Sequence, residues 1–155
     1  MTFFSFIILS FCAWFYHVGQ VKNTNVPIYS EPQFKLIISK FTEAAALRNV
    51  SVNLTDQKIT FEDLKHELAH CYYGIQYMKF IRVDRRAWAR MTQEEREATL
   101  FHELGHCVLG RIEHADKMYP DGCPVSLMHT SHTLKNCYFK NRSAYLDELF
   151  QQKRN

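Results

Sequence analysis

Residues 92–110 read TQEEREATLFHELGHCVLG, and this stretch limits the fold more than any other part of the chain. Thr92 and Glu95 have the spacing of a reciprocal capping box, in which each side chain bonds the other's backbone N–H, so a helix is expected from Gln93 onward. No Pro interrupts it, and Gly110 stands where a helix commonly stops in a left-handed residue. On such a helix His102 and His106 lie one turn plus about 40° apart, so both imidazoles reach one ion, and Glu103 stands beside them at the same rim. Phe101, Leu104 and Val108 occupy the opposite face and anchor the helix in a core. The pattern supplies two nitrogen ligands for a metal and a carboxylate placed to act as a base.

The pentapeptide occurs twice. HELAHCYYG (66–74) and HELGHCVLG (102–110) carry Cys and Gly at the same offsets, which raises the question of which copy holds a metal. Phe61, Leu64 and Leu68 fall at helical spacing, but CYYGIQYMKFIRV comes at once after them and pulls the first copy towards strand. No His lies between His70 and His102. A catalytic zinc site takes three protein ligands and one open position, and the distant carboxylates Glu94 and Glu95 are needed to begin the next helix. The metal is therefore assigned to the second copy, and the first is read as a surface segment of chance resemblance.

The chain has 155 residues, 46% apolar and 23% charged, which is the balance of one globular domain with a sizeable core. A net charge of +3 without a basic run gives no reason to expect a nucleic-acid partner. Residues 1–21 contain no Asp, Glu, Lys or Arg, and the apolar run 3–16 has the length of a signal-peptide core rather than the roughly 20 residues of a spanning helix. Export is the expectation, with residues 1–21 serving as signal peptide, lipoprotein signal or membrane anchor. LSFC resembles a lipoprotein cleavage box, although Phe11 stands where a small residue should precede Cys12, so membrane attachment through a lipidated Cys12 or through the segment itself stays open. Cys71, Cys107, Cys123 and Cys137 remain in the body, an even number that suits disulfides in an oxidising compartment and leaves three pairings open.

Elsewhere the pattern is that of a small α+β domain. Phe34, Ile37, Ile38, Phe41 and Ala45 repeat at helical steps in a segment ending near Asn49. VSVNLTDQKITF reads as strand and turn, and GIQYMKFIRVD as another strand. Tyr145, Leu146, Leu149 and Phe150 mark a short closing helix.

The segment beyond the second copy carries a family likeness. After Gly110 comes RIEH, with His114 available as a third nitrogen ligand, and SLM places Met128 farther on. His102, Glu103, His106, Gly110, His114 and the Met128 turn resemble the metzincin clan of zinc peptidases over residues 92–128, with Gly one residue and His two residues later than that clan writes them. The resemblance implies that residues 22–155 form a single zincin-like catalytic domain: an N-terminal helix, a short mixed or antiparallel sheet, an active-site helix, a Met-turn and a C-terminal helix. It implies Zn2+ held by His102, His106 and His114, with Glu113, Asp116, His129 and His132 as alternatives for the third position. It implies a peptide or protein substrate laid along an edge strand, for which MKFIRVD is the candidate, and cut within the chain with Glu103 as general base. Two other classes compete: a structural-zinc module with a closed coordination sphere, and an exported binding protein held by disulfides.

Overall fold

The computed structural model of the chain describes residues 26–74, 77–130 and 135–151. The leader readings, Cys12 and the alternative ligand His132 lie outside the described residues.

Four strands form a mixed sheet: β1 (Tyr29–Ser30), β2 (Gln57–Glu62), β3 (Ala69–Tyr73) and β4 (Lys79–Asp84), in the order β1-β2-β4-β3. β1, β2 and β4 run parallel, while β3 pairs antiparallel with β4 through a hairpin and becomes the edge. Alternation along the strands sends Ile59, Ile81 and Val83 into the core. The edge expected at MKFIRVD is therefore corrected, because β4 lies between β2 and β3 and is paired on both sides. The first HELAH copy supplies the edge instead. Its helical spacing is overridden because Ala69 is buried, Cys71, Tyr72 and Tyr73 come next, and Tyr72 finds Phe80 across the pair at a ring-centroid distance of 5.0 Å.

Helix α1 (Lys35–Ala46) continues from a 3-10 turn over Pro32–Phe34, and the two together bury Phe34, Ile37, Ile38, Phe41, Ala44 and Ala45, as the apolar spacing predicts. Helix α2 (Arg85–Arg90) has no counterpart in the apolar pattern of the sequence. Its start is explained by Asp84, whose Oδ1 accepts from the Ala87 N–H at 2.6 Å, while Oδ2 accepts from the Leu64 N–H at 2.9 Å. The Ala87 bond, against the opposing effect of burial, holds this carboxyl below the usual range.

Helix α3 (Gln93–Cys107) opens on the expected box: the Glu95 N–H donates to Thr92 Oγ1 at 3.2 Å, and the Thr92 N–H to Glu95 Oε2 at 2.8 Å. Gly110 lies beyond its end with φ +68°, the left-handed conformation assigned to it. Phe101 and Leu104 are fully buried. Helix α4 (Lys135–Leu149) is longer than its apolar spacing suggests and kinks at Asn141. A carboxylate in mid-α3 ties three helices together. Glu97 accepts from Lys40 Nζ of α1 at 2.7 Å and, on α4, from Arg142 Nε at 2.6 Å and the Tyr138 hydroxyl at 2.9 Å.

Two disulfides join Cys71 to Cys107 and Cys123 to Cys137. No helix among the described residues is long and apolar enough to cross a membrane.

Candidate metal centre

The buried face of α3 fixes where its histidines point. His102 is itself buried, and its Nε2 lies 3.0 Å from His106 Nε2. His114 arrives on the loop after Gly110, with its Nε2 3.2 Å from that of His106 and 3.3 Å from that of His102. Three nitrogens that surround one ion at about 2.0–2.1 Å with tetrahedral angles stand about 3.3–3.4 Å apart, so this near-equilateral triangle fits three corners of a small cation's shell. His102, His106 and His114 are the one group of three or more side chains among the described residues arranged so that they could hold a metal ion.

The remaining ring nitrogens support that reading. His102 Nδ1 donates to the Leu127 carbonyl at 2.8 Å, and His106 Nδ1 to the Arg111 carbonyl at 2.5 Å. A ring that donates through Nδ1 presents a lone pair at Nε2, which is the tautomer a cation requires. Burial holds the His106 imidazole below its usual pKa, partly offset by the Arg111 carbonyl and reinforced by His114. A neutral imidazole is the form that ligates a metal.

The loop carrying His114 is strapped to the turn beneath α3. The Ala115 N–H donates to the Met128 carbonyl at 2.8 Å, and Asp116 Oδ1 accepts from the Thr130 N–H at 2.8 Å and its hydroxyl at 2.6 Å. Those two bonds hold Asp116 below the usual carboxylate range. Asp116 is thereby occupied away from the triad, with His129 Nε2 3.9 Å from its Oδ1. Glu113 is exposed. Neither of these acids nor His129 joins the three clustered nitrogens.

Met128 is fully buried directly under Gly105, where a Cβ would come within 2.6 Å of the Met128 sulfur. A side chain at this position in HELGH would have to push aside the Met128 thioether, next in sequence to Leu127, whose carbonyl holds His102.

Glu103 is buried at the side of a cleft of about 530 Å³ that also exposes the triad. Burial pushes its carboxyl up to about 8, the Cys71 backbone N–H acting against this and the charge of Glu67 adding to it. The opposite wall is the first pentapeptide: His66, Glu67 and His70 line the same cleft. Among the described residues they join no group of three ligand atoms close enough to share an ion. Cys71 and Tyr73 turn towards α3, one through its disulfide and the other through a 3.3 Å hydrogen bond from its hydroxyl to the His106 carbonyl. His70 and Tyr72 hold the alternate positions of the strand, their ring centroids 6.3 Å apart, and Arg82 lies 4.2 Å over the Tyr72 ring. His66 sits in the bend before β3. His66, Glu67 and His70 are exposed, as expected of a surface segment, but Ala69 is buried, and the sequence does not place this copy on the cleft wall. A hint lies in the matching Cys offsets, since the two cysteines that come after the two copies are the ones that pair.

No curated protein and no solved structure matches the chain significantly. Residues 60–132, which carry both pentapeptides, His114 and the Met128 turn, match the family described as "Putative phage metallopeptidase", and over that segment the chain is metallopeptidase-like, with a histidine cluster suited to a metal ion.

Proposed function

We propose that the protein is an exported zinc endopeptidase in which His102, His106 and His114 hold the metal and Glu103 is the general base. The observation that carries this reading is the triangle of Nε2 atoms at 3.0, 3.2 and 3.3 Å, set beside a buried carboxylate in a cleft open to solvent. Three histidines and an open fourth position favour zinc, and catalytic over structural zinc. When bound, zinc supplies a water acidified towards neutrality and a Lewis acid for a peptide carbonyl. Glu103 takes the proton of the attacking water and hands it to the leaving amine. Burial is what raises its carboxyl, and a divalent charge beside it would favour the ionised form.

The substrate strand lies along β3. The Leu68 carbonyl and the Gly74 N–H bond on the β4 side, at 2.8 Å each. Alternation then directs the backbone groups of residues 69, 71 and 73 away from β4, and the Cys71 N–H already faces Glu103. An extended peptide pairing there passes the triad in mid-chain, which favours internal cleavage. Two disulfides support an oxidising destination. The buried Met128 turn below Gly105 supports a metzincin-like reading with a longer loop to His114.

The test is Glu103→Ala assayed on an unfolded protein at equal measured zinc content. A positioned general base contributes about 10²- to 10⁴-fold, so hydrolysis should fall by that factor while zinc stays bound. Wild-type hydrolysis by the variant would remove Glu103 from the mechanism.

A further inference from the structure

The two carbonyls that accept from His102 and His106 belong to separate loops, residues 126–128 and 110–112, which are remote in sequence from the helix that joins them. That helix is α4, and the joining residue is Glu148. Its Oε1 receives Arg111 Nη2 at 2.5 Å, and Arg111 Nη1 also donates to the Glu148 carbonyl at 2.8 Å. Its Oε2 accepts the Ser126 hydroxyl at 2.7 Å, and Ser126 Oγ accepts in turn from the Met128 N–H at 2.9 Å. Ser126 is almost wholly buried, at 2% exposure, so its hydroxyl cannot exchange Glu148 for water. Arg111 then offers its carbonyl to His106, and Leu127, between Ser126 and Met128, offers its carbonyl to His102.

We propose that Glu148 is a positioning residue of the metal centre: a single carboxylate on α4 that sets both carbonyls to which the helical histidines donate, and with them the direction and tautomer of two ligands. It touches neither substrate nor metal. The inference rests on reading the triad as a metal site, and it deepens that reading by making the C-terminal helix part of the centre. Histidine ligands are oriented by whatever their second nitrogen bonds, and loss of such support characteristically costs metal affinity while leaving the ligands present. Docking of α4 in general is a different matter. The adjacent Asp147 bonds Arg48 Nη2 at 2.7 Å and Nε at 2.9 Å, fastening the same turn of α4 to the end of α1 without a bond to either loop that carries these carbonyls.

The experiment is zinc affinity by chelator competition on the full chain, together with the visible spectrum of the Co2+-loaded protein, for the parent, Glu148→Ala, Glu148→Gln, Ser126→Ala and Asp147→Ala. Glu148→Ala should weaken zinc binding about 10- to 100-fold and shift the Co2+ bands. Ser126→Ala, which breaks one arm, should lose less, and Glu148→Gln, which keeps one acceptor oxygen at the same length, should fall between Glu148→Ala and the parent. Asp147→Ala should bind as the parent does. Parental affinity and spectrum in Glu148→Ala would overturn the proposal, as would an equal loss in Asp147→Ala, which would assign the effect to helix docking. Should Glu148→Ala fail to fold, unchanged affinity in Ser126→Ala overturns it. A parent that binds neither metal refutes the triad reading itself, and Glu148 then has nothing to position.

Discussion

Cys71, the residue after the first pentapeptide, is disulfide-bonded to Cys107, the residue after the second, with their Cα atoms 5.7 Å apart. The bond fastens the edge strand to the end of the helix that carries His102 and His106, one residue beyond His106. It closes a sequence separation of 36 residues, for which the chain-entropy account gives about 3–4 kcal/mol. Replacing both cysteines by Ala should lower stability by about that amount in denaturant titration. It should also reduce hydrolysis more than zinc affinity, because the strand loosens while the three histidines stay. Full hydrolysis by the unbridged protein would contradict β3 as the substrate edge.

Gly105→Ala tests the contact under the helix. Alanine improves helix propensity by about 1 kcal/mol. Here, however, its Cβ meets the Met128 sulfur at 2.6 Å and Leu149 Cδ1 at 3.1 Å in a fully packed core. Overpacking of that kind costs about 1–3 kcal/mol, so after the gain in helix propensity the net change should be a loss of up to about 2 kcal/mol, read as a lower Tm. A Tm raised by Gly105→Ala would show that the Met128 turn yields freely.

Glu97 gives a pH dependence whose sign is fixed. Burial alone would raise its carboxyl, but the bonds from Lys40, Arg142 and Tyr138 outweigh burial and hold it below the ordinary value of 4.5. A folded pKa below the unfolded one means that the unfolded state binds more protons in acid, so this stabilisation is present above about 4.5 and lost as pH falls through the folded value. Glu97→Gln should cost about 2–3 kcal/mol at neutral pH, discounted for the solvent reached by Lys40 and Arg142. The Tm gap between parent and variant should close as pH drops below about 4.5. A gap that stays constant down to about pH 2 would mean that the charge on Glu97 is immaterial.

Local chemistry made α1, α3 and the triad legible. The Thr92–Glu95 box, Gly110 and the apolar faces are short-range signals, and His114 needed only a loop that turns back. The place of β3 was not legible, because its pairing with β4 and the resulting loss of the β4 edge are tertiary facts. HELAH at 66–70 has the spacing of a helical ligand pair, but it forms a bend at His66 and strand only from Ala69, because Ala69 is needed in the core and Tyr72 has Phe80 to lie on. The roles of Leu127 and Arg111 were hidden for a different reason: they act through backbone carbonyls, which every residue has, so no side-chain pattern announces them. Glu148 belongs with them, since nothing in YLDELF separates it from Asp147, yet one faces Ser126 and the other Arg48.

The most direct measurement of the central claim is the zinc content of the purified chain and of His114→Ala and His66→Ala/His70→Ala variants, determined by elemental analysis against protein concentration. The parent should hold one zinc per chain, His114→Ala should lose it, and the variant lacking both histidines of the first pentapeptide should retain it in full. Two zinc ions per chain, or zinc that survives His114→Ala and disappears with His66 and His70, would contradict the central claim.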